Sequence, residues 1–179
     1  MSDIDYSKYP LGPFKRPIDV SDADLNLWME TIEQLPLKMR DAINGLNADQ
    51  LDTPYREDGW TLRQVVHHVA DSHMNAYIRF KLALTEDNPT IKPYDENKWS
   101  ELNDVHKLPV NISLTLLHAL HERWTEALKE VNDEDWNNRT VVHPEHNRTM
   151  RLWFLLGLYA WHGKHHVAHI TQLRENKGW

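Results

Sequence analysis

The chain has 179 residues, enough for one domain with a core that is stable without disulfides, and its composition does not require a second domain. It contains no cysteine, which excludes disulfides, thiolate-bound metals and cysteine nucleophiles and leaves His, Asp and Glu as metal ligands. A net charge of -7 disfavours nucleic acid as a partner, whereas 12 His and 8 Trp favour a metal site or an aromatic pocket.

The beginning of the chain and the hydropathy pattern predict a cytoplasmic protein with no membrane partner. No basic region followed by an apolar run opens the sequence, and no stretch reaches the roughly eighteen apolar residues of a membrane span. Pro10, Pro13 and Pro17 predict that residues 1–20 form an extended N-terminal strap. We expect this strap to lie over a single domain of residues 1–179 and not to carry the chemistry.

Helical periodicity predicts two helices in the first half of the chain. Apolar residues recur at helical spacing across residues 21–46, which predicts a first helix with a kink at Pro36. Thr61 and Gln64 have the spacing of a capping box, and an apolar stripe follows them. The stripe predicts a second helix over residues 61–86.

The second half of the chain predicts two more helices and one long connection. Residues 87–111 are rich in Pro and polar residues with one short helical piece, a length that suits a crossover along a bundle. A third helix is predicted over 111–131, followed by a short acidic turn and an irregular turn or small hairpin at 141–150. A fourth helix begins near Thr149 and runs past Gln172. The predicted fold is therefore all-α, a four-helix bundle with a long crossover connection.

The rotation of about 100° per helical residue indicates which histidines of the fourth helix face inward. Relative to Tyr159, which lies in the apolar stripe, His162 and His166 fall on the buried face, whereas His165 and His169 fall at its edge or outside it. Imidazoles at positions i and i+4 share one helical face and can bind one ion. Spacing alone also fits a polar face, but buried neutral imidazoles need partners, and a shared metal ion supplies them.

The second helix supplies the third candidate ligand. His67 and His68 are adjacent and project about 100° apart, so only one of them can face the bundle. Relative to Val69, His67 points away and His68 lies at the edge of the stripe, which favours His68. His73 and His121 fall near the centres of their stripes, where a hydrogen-bonded core histidine or a contact to a ligand is favoured over direct ligation.

Three separated segments resemble the YfiT branch of the DinB superfamily. They are residues 52–61 (DTPYREDGWT), 65–75 (VVHHVADSHMN) and 161–170 (WHGKHHVAHI). The resemblance implies a four-helix bundle, a homodimer, and one divalent metal ion per subunit, zinc or nickel, held by His68, His162 and His166. Members of the branch are described as metal-dependent hydrolases. Related members of the superfamily are transferases and isomerases that act with low-molecular-weight thiols such as bacillithiol.

Three imidazole ligands leave a divalent ion at least one open coordination position, as in catalytic zinc sites. An ion of this kind activates a bound water or thiol. Gly163 follows His162 where zinc proteases of the HExxH type carry a glutamate, so that base is missing. Gly163 is expected to admit a neighbouring helix or to leave space beside the metal. The candidate bases, each only if it lies within reach of the site, are His73, His121, Asp71 and Glu122.

The preferred hypothesis is a metal-dependent hydrolase that acts on a small molecule. The alternatives are a thiol S-transferase that uses a metal-activated thiol, and a non-catalytic metal-binding dimer. Trp60 and Trp161 flank the histidine motifs, and core packing is favoured for them over a place at a pocket mouth. Arg56 and Arg79 are expected to be solvated surface charges, with binding of a substrate carboxylate as the alternative.

Overall fold

The computed structural model describes residues 4–145 and 148–179 of the chain. Four long helices form a bundle, which confirms the predicted fold class, and the remaining described elements are short. In chain order the elements are α1 (Asp22–Ile43), α2 (Ala48–Leu51), α3 (Leu62–Thr85), α4 (Glu96–Trp99), α5 (Asn103–Lys107), α6 (Val110–Leu128), α7 (Asp133–Asn138), β1 (Thr140–His143), β2 (Arg148–Arg151) and α8 (Leu152–Lys177). Within the described ranges, no helix is both long and apolar enough to cross a membrane.

The packing of the long helices brings α3 and α8 side by side. Helix α1 packs against α8 and α6, and α3 packs against α6 and α8. Consecutive long helices α1 and α3 are therefore diagonal to each other in the bundle. The connection from α3 to α6 is long, as predicted, and it includes α4 and α5. Residues on α3 and α8 that are distant in sequence can thus share one site.

Capping features mark the start of α3 and the end of α8, the two helices that carry the candidate ligands. The Thr61 hydroxyl accepts from the Gln64 backbone N–H, and the Gln64 side chain accepts from the Thr61 backbone N–H, which confirms the predicted capping box of α3. Helix α8 ends at Lys177, and its C-cap residue Gly178 has a φ of 69°, in the left-handed region that glycine tolerates. These features define where α3 begins and where α8 ends.

Helix α1 continues through Pro36 to Ile43. Proline has no backbone N–H, so Pro36 cannot donate the usual helical hydrogen bond to the carbonyl of Ile32. That carbonyl instead accepts a hydrogen bond from Nδ1 of His121 on α6, at 2.5 Å. The proline in α1 thus leaves an acceptor for a side chain of a neighbouring helix.

Gly163 allows α8 to approach α1 closely. A Cβ atom at this position would lie 2.5 Å from Cδ2 and 2.9 Å from Cδ1 of Leu35, which is buried in the core. Such distances are too short for any side chain to be added without displacing Leu35. Of the two roles predicted for Gly163, the structure therefore supports close helix packing.

The N-terminal strap and the small hairpin lie on the outside of the bundle. Residues 4–20 form neither helix nor strand and lie against α8, where the Trp161 indole N–H donates to the Gly12 carbonyl at 3.2 Å. Strands β1 and β2 pair antiparallel, which makes the predicted irregular turn or hairpin a hairpin. Residues 1–3 of the predicted strap and residues 146–147 of the predicted hairpin lie outside the described residues.

Candidate metal centre

Three histidine side chains converge between α3 and α8. Nε2 of His68 on α3 lies 3.3 Å from Nε2 of His162 on α8. With His166, one turn further along α8, they form a group whose candidate ligand atoms all lie within 4.8 Å of one another. His68 and His166 are buried, and His162 is partly exposed. The fold thus brings together the three residues that the sequence proposes as ligands.

The spacing of the first two nitrogens fits a shared ion. Zinc binds imidazole nitrogen at about 2.0–2.1 Å, so two nitrogens on one tetrahedral zinc ion lie roughly 3.3–3.4 Å apart. The separation of 3.3 Å between His68 and His162 matches this value. A hydrogen bond between the two rings has a similar length and needs a proton on one of the two Nε2 atoms, whereas ligation of one ion needs both atoms to be bare.

A chain of buried histidines determines the tautomer of His162. The Ile32 carbonyl can only accept, so Nδ1 of His121 carries the proton of that bond. The bare Nε2 of His121 then accepts from Nδ1 of His73 at 3.0 Å. Nε2 of His73 accepts in turn from Nδ1 of His162 at 3.3 Å. Nε2 of His162 is therefore left without a proton, and its lone pair faces His68.

A second chain has the same effect on His166. The carbonyl of Lys8, in the strap, accepts from Nε2 of His169 at 3.1 Å. Nδ1 of neutral His169 is therefore an acceptor, and it receives the Nδ1 proton of His166 over 3.4 Å. Nε2 of His166 is then bare as well. Both α8 histidines thus have a bare Nε2 atom, as metal ligation requires. The strap was expected to have no part in the chemistry, but its Lys8 carbonyl is the last acceptor of this chain.

Burial keeps these histidines neutral. It lowers the pKa of His68 to about 4. Burial, together with the neighbouring histidines, lowers the pKa values of His73, His162 and His166 well below the usual value. Burial also lowers the pKa of His121 to about 4. Neutral rings are the form that binds a metal ion, so at neutral pH protons do not compete for the site.

We expect the metal-free protein to lose stability as the pH falls from about 7 to about 4. Histidines of the unfolded chain bind protons near pH 6.5. In the folded protein the pKa values of His68, His121 and His165 are about 4. Between these limits the unfolded state binds more protons, so acidification lowers the free energy of unfolding. Urea denaturation of chelator-treated protein over this range measures the effect, and a midpoint independent of pH would contradict neutral burial.

Three histidines predicted to lie at the edge of the buried face or to point away from it are buried, so this prediction was wrong. Nδ1 of His67 lies 2.7 Å from the Ser113 hydroxyl of α6. His165 stacks on Trp161 with ring centroids 4.6 Å apart, and His169 reaches the strap. An apolar stripe identifies one buried face only. Helix α6 covers a second face of α3, and the strap covers the outer face of α8.

A pocket of about 520 Å³ opens beside the three histidines. Trp60 and Trp161 line it, which is the less favoured of their two predicted roles, and Trp60 also packs against the core as the favoured role predicts. The Trp60 ring lies 4.5 Å from the His68 ring, and it therefore shields one side of the site from water. Besides the three candidate ligands and the two tryptophans, the lining consists of Ser72, Arg79, Pro93, Tyr94, Glu96, His143, Glu145, Tyr159 and His165.

None of the four candidate bases lines the pocket. Both ring nitrogens of His73 and of His121 are engaged in the histidine chain, and Glu122 is exposed on α6. Burial and then the nearby charge of Asp104 raise the pKa of Asp71 to about 6, but its carboxyl group is not part of the lining.

The acidic residues of the pocket come from two segments for which the sequence pattern predicts no side-chain directions. Glu96 lies in the long connection and Glu145 follows β1. Neither segment has a helical apolar stripe from which a side-chain direction can be derived. The length of the connection was the one available signal, because long connections in compact domains are often functional.

The match to a family model establishes the family of the chain. The model of the DinB superfamily matches residues 31–170, which include all three candidate ligands. The chain belongs to the DinB superfamily.

DinB relatives cover almost the whole chain. Relatives from Bacillus cereus are 56% identical over 174 residues, 96% of this chain and 98% of theirs, and carry the name "Putative metal-dependent hydrolase". A relative from Oceanobacillus iheyensis with the same name is 51% identical over 172 residues, with the same coverage. The solved structure of YfiT from Bacillus subtilis is 47% identical and superposes with a TM-score of 0.94 over 97% of this chain and 99% of that chain. YfiT is described as "a probable metal-dependent hydrolase with an unusual four-helix bundle topology".

Proposed function

We propose that this DinB protein is a hydrolase in which His68, His162 and His166 hold one divalent metal ion that activates water against a small molecule. Zinc is the first choice for the ion and nickel the second. The observation that carries the proposal is the convergence of three neutral histidines beside an open pocket. Structural zinc sites have four protein ligands, whereas three leave a position for water or substrate. The names of the DinB relatives support the same activity.

The side chains around the site have separable roles in this proposal. A bound ion supplies Lewis acidity and lowers the pKa of a coordinated water toward about 7. The chain from Ile32 through His121 and His73 orients the His162 ring, and the bond to His169 orients His166. Trp60 and Trp161 form apolar walls that restrict water and receive the body of the substrate. Gly163 stands where zinc proteases of the HExxH type carry a glutamate, so the proposal does not include that general base.

An activity panel on protein of known metal content tests the proposal. Zinc-loaded and nickel-loaded protein is assayed against esters, amides and lactones without thiol, after metal analysis. We expect turnover of at least one class, loss of activity with a chelator, and recovery on addition of the metal. His166→Ala should be inactive, whereas His118→Ala, at an exposed position of α6, should remain active.

The same panel distinguishes the two alternatives. If an electrophile such as monochlorobimane is consumed only with a low-molecular-weight thiol such as bacillithiol, the protein is a thiol S-transferase. If metal is retained and neither reaction occurs, it is a non-catalytic metal-binding protein. Either result would replace the hydrolase proposal.

The proposal includes a homodimer that works in the cytoplasm without nucleic acid or membrane as a partner. The dimer rests on the family resemblance alone. The exclusion of nucleic acid rests on the net charge of -7, which repels phosphate backbones.

A further inference from the structure

Arg79 lines the metal pocket without a carboxylate partner. Its Nη1 donates to the Tyr159 hydroxyl at 2.6 Å, and its Nη2 donates to the Lys92 carbonyl at 3.4 Å. These bonds use two of the five N–H donors of the guanidinium group. Among the ion pairs of residues 4–145 and 148–179, none includes Arg79. The cation is partly buried, and it has no carboxylate of the described residues within ion-pair distance.

Tyr159 places a second donor next to this charge. The residue is only 5% exposed, and its hydroxyl accepts from Arg79 and donates no hydrogen bond to any residue that the structure describes. Burial raises the pKa of Tyr159, so the hydroxyl keeps its proton at neutral pH. The Tyr159 ring lies 6.1 Å from the ring of His162. A free O–H and a guanidinium group therefore belong to the lining of the same pocket as the candidate metal ligands.

The charges around the pocket favour a monoanion at this position. The candidate ligands are neutral, so Arg79 and a bound divalent ion would make this part of the pocket positive. Glu96 and Glu145 are both exposed, and they add negative charge on the solvent side. A carboxylate matches the planar guanidinium fork by two parallel hydrogen bonds, and it is repelled less by these glutamates than a doubly charged phosphate.

We propose that Arg79 and Tyr159 form a carboxylate-binding subsite, and that the substrate is a small carboxylic acid whose anionic group lies close to the bond that is hydrolysed. The inference rests on the proposed metal centre, because it takes that centre as the place of reaction. It also assigns Arg79 to the substrate, the role that the sequence left as the less favoured alternative. The aromatic walls of Trp60 and Trp161 then hold the remainder of the molecule.

Pairs of hydroxamates that differ only in a terminal carboxylate or amide test the subsite by binding, without an activity assay. A hydroxamate group binds the metal, and the far end of the molecule carries either a carboxylate or the neutral amide of the same shape. Malonic, succinic and glutaric monohydroxamates and their amide counterparts are titrated into zinc-loaded protein by calorimetry. For at least one length, we expect the carboxylate form to bind about tenfold more tightly or better, because it gains charged hydrogen bonds to Arg79.

Variants assign the preference to the subsite. Arg79→Met should bring the ratio of the two affinities to about one, Arg79→Lys should keep part of the preference, and Tyr159→Phe should reduce it. Arg56→Met is the matched control, because Arg56 does not line the pocket, and it should leave the ratio unchanged. Metal content and circular dichroism of each variant verify the centre and the fold.

The outcomes separate this inference from the proposed function. If both forms bind equally at every length, or if the preference persists in Arg79→Met, the subsite is refuted and the metal centre stands. If the protein retains no metal and neither form binds, the proposed function fails and the inference fails with it.

Discussion

Replacing His68 with alanine should abolish tight metal binding, whereas replacing its neighbour His67 should not. Both side chains are buried on α3, with 9% and 5% of their surface exposed, so the two variants remove similar groups from similar environments. Only the His68 ring faces His162 and His166, while His67 bonds to Ser113. Loss of a residue that hydrogen-bonds to a metal ligand lowers metal affinity about 10–100-fold. Loss of a ligand itself should lower the affinity by more than that.

Metal analysis and a competition titration with a chromophoric chelator measure this difference. We expect wild-type protein and His67→Ala to hold one ion per chain, with His67→Ala less stable because it loses the Ser113 hydrogen bond. His68→Ala should hold almost none. Equal metal content in the two variants would remove His68 from the site, and loss in both would indicate a general effect of packing in α3.

Replacing His121 with phenylalanine should weaken metal binding although His121 does not touch the metal site. The substitution keeps an aromatic ring in the core but removes the bond to the Ile32 carbonyl and the acceptor for His73. The His73 ring is then free to change tautomer, and Nδ1 of His162 loses its defined acceptor. The expected loss is about 10–100-fold in metal affinity, as for other groups that orient a ligand.

A matched core variant separates this effect from lost stability. Leu117→Ala removes a buried side chain one turn before His121 on α6 and should cost about 2–5 kcal/mol of stability without a change in metal affinity. Nitrogen-15 spectra of the histidine rings report tautomers directly. We expect the His162 proton on Nδ1 in the wild-type protein and a mixture of tautomers in His121→Phe. If affinity falls equally in both variants, the histidine chain does not orient the ligand.

The parts of the site that lie on long helices could be predicted from the sequence. The capping box at Thr61 and the apolar stripe after it predicted the helix that carries His68, and the i, i+4 spacing predicted the side-by-side placement of His162 and His166. Both predictions depend on local geometry, which the helix repeat determines. The structure brings the three residues together as their directions on the helices indicate.

The rest of the site depends on which segments cover the helices, and one apolar stripe carries no information on that. Burial of His165 and His169 arises from the strap, and burial of His67 from α6. The pocket residues Tyr94 and Glu145 lie in segments without periodicity, so no direction can be assigned to their side chains from sequence. The tautomers could not be predicted either, because they follow from contacts between residues up to 161 positions apart.

Pro36 has a consequence for attempts to stabilise this protein. A proline inside a helix is an obvious target for replacement, because alanine there would restore a backbone donor and raise helix propensity. At this position the new donor would share the Ile32 carbonyl with His121 and draw it back toward the axis of α1. A more regular α1 would therefore weaken the hydrogen bond between His121 and the Ile32 carbonyl. A substitution of Pro36 that raises thermal stability is thus expected to lower metal affinity.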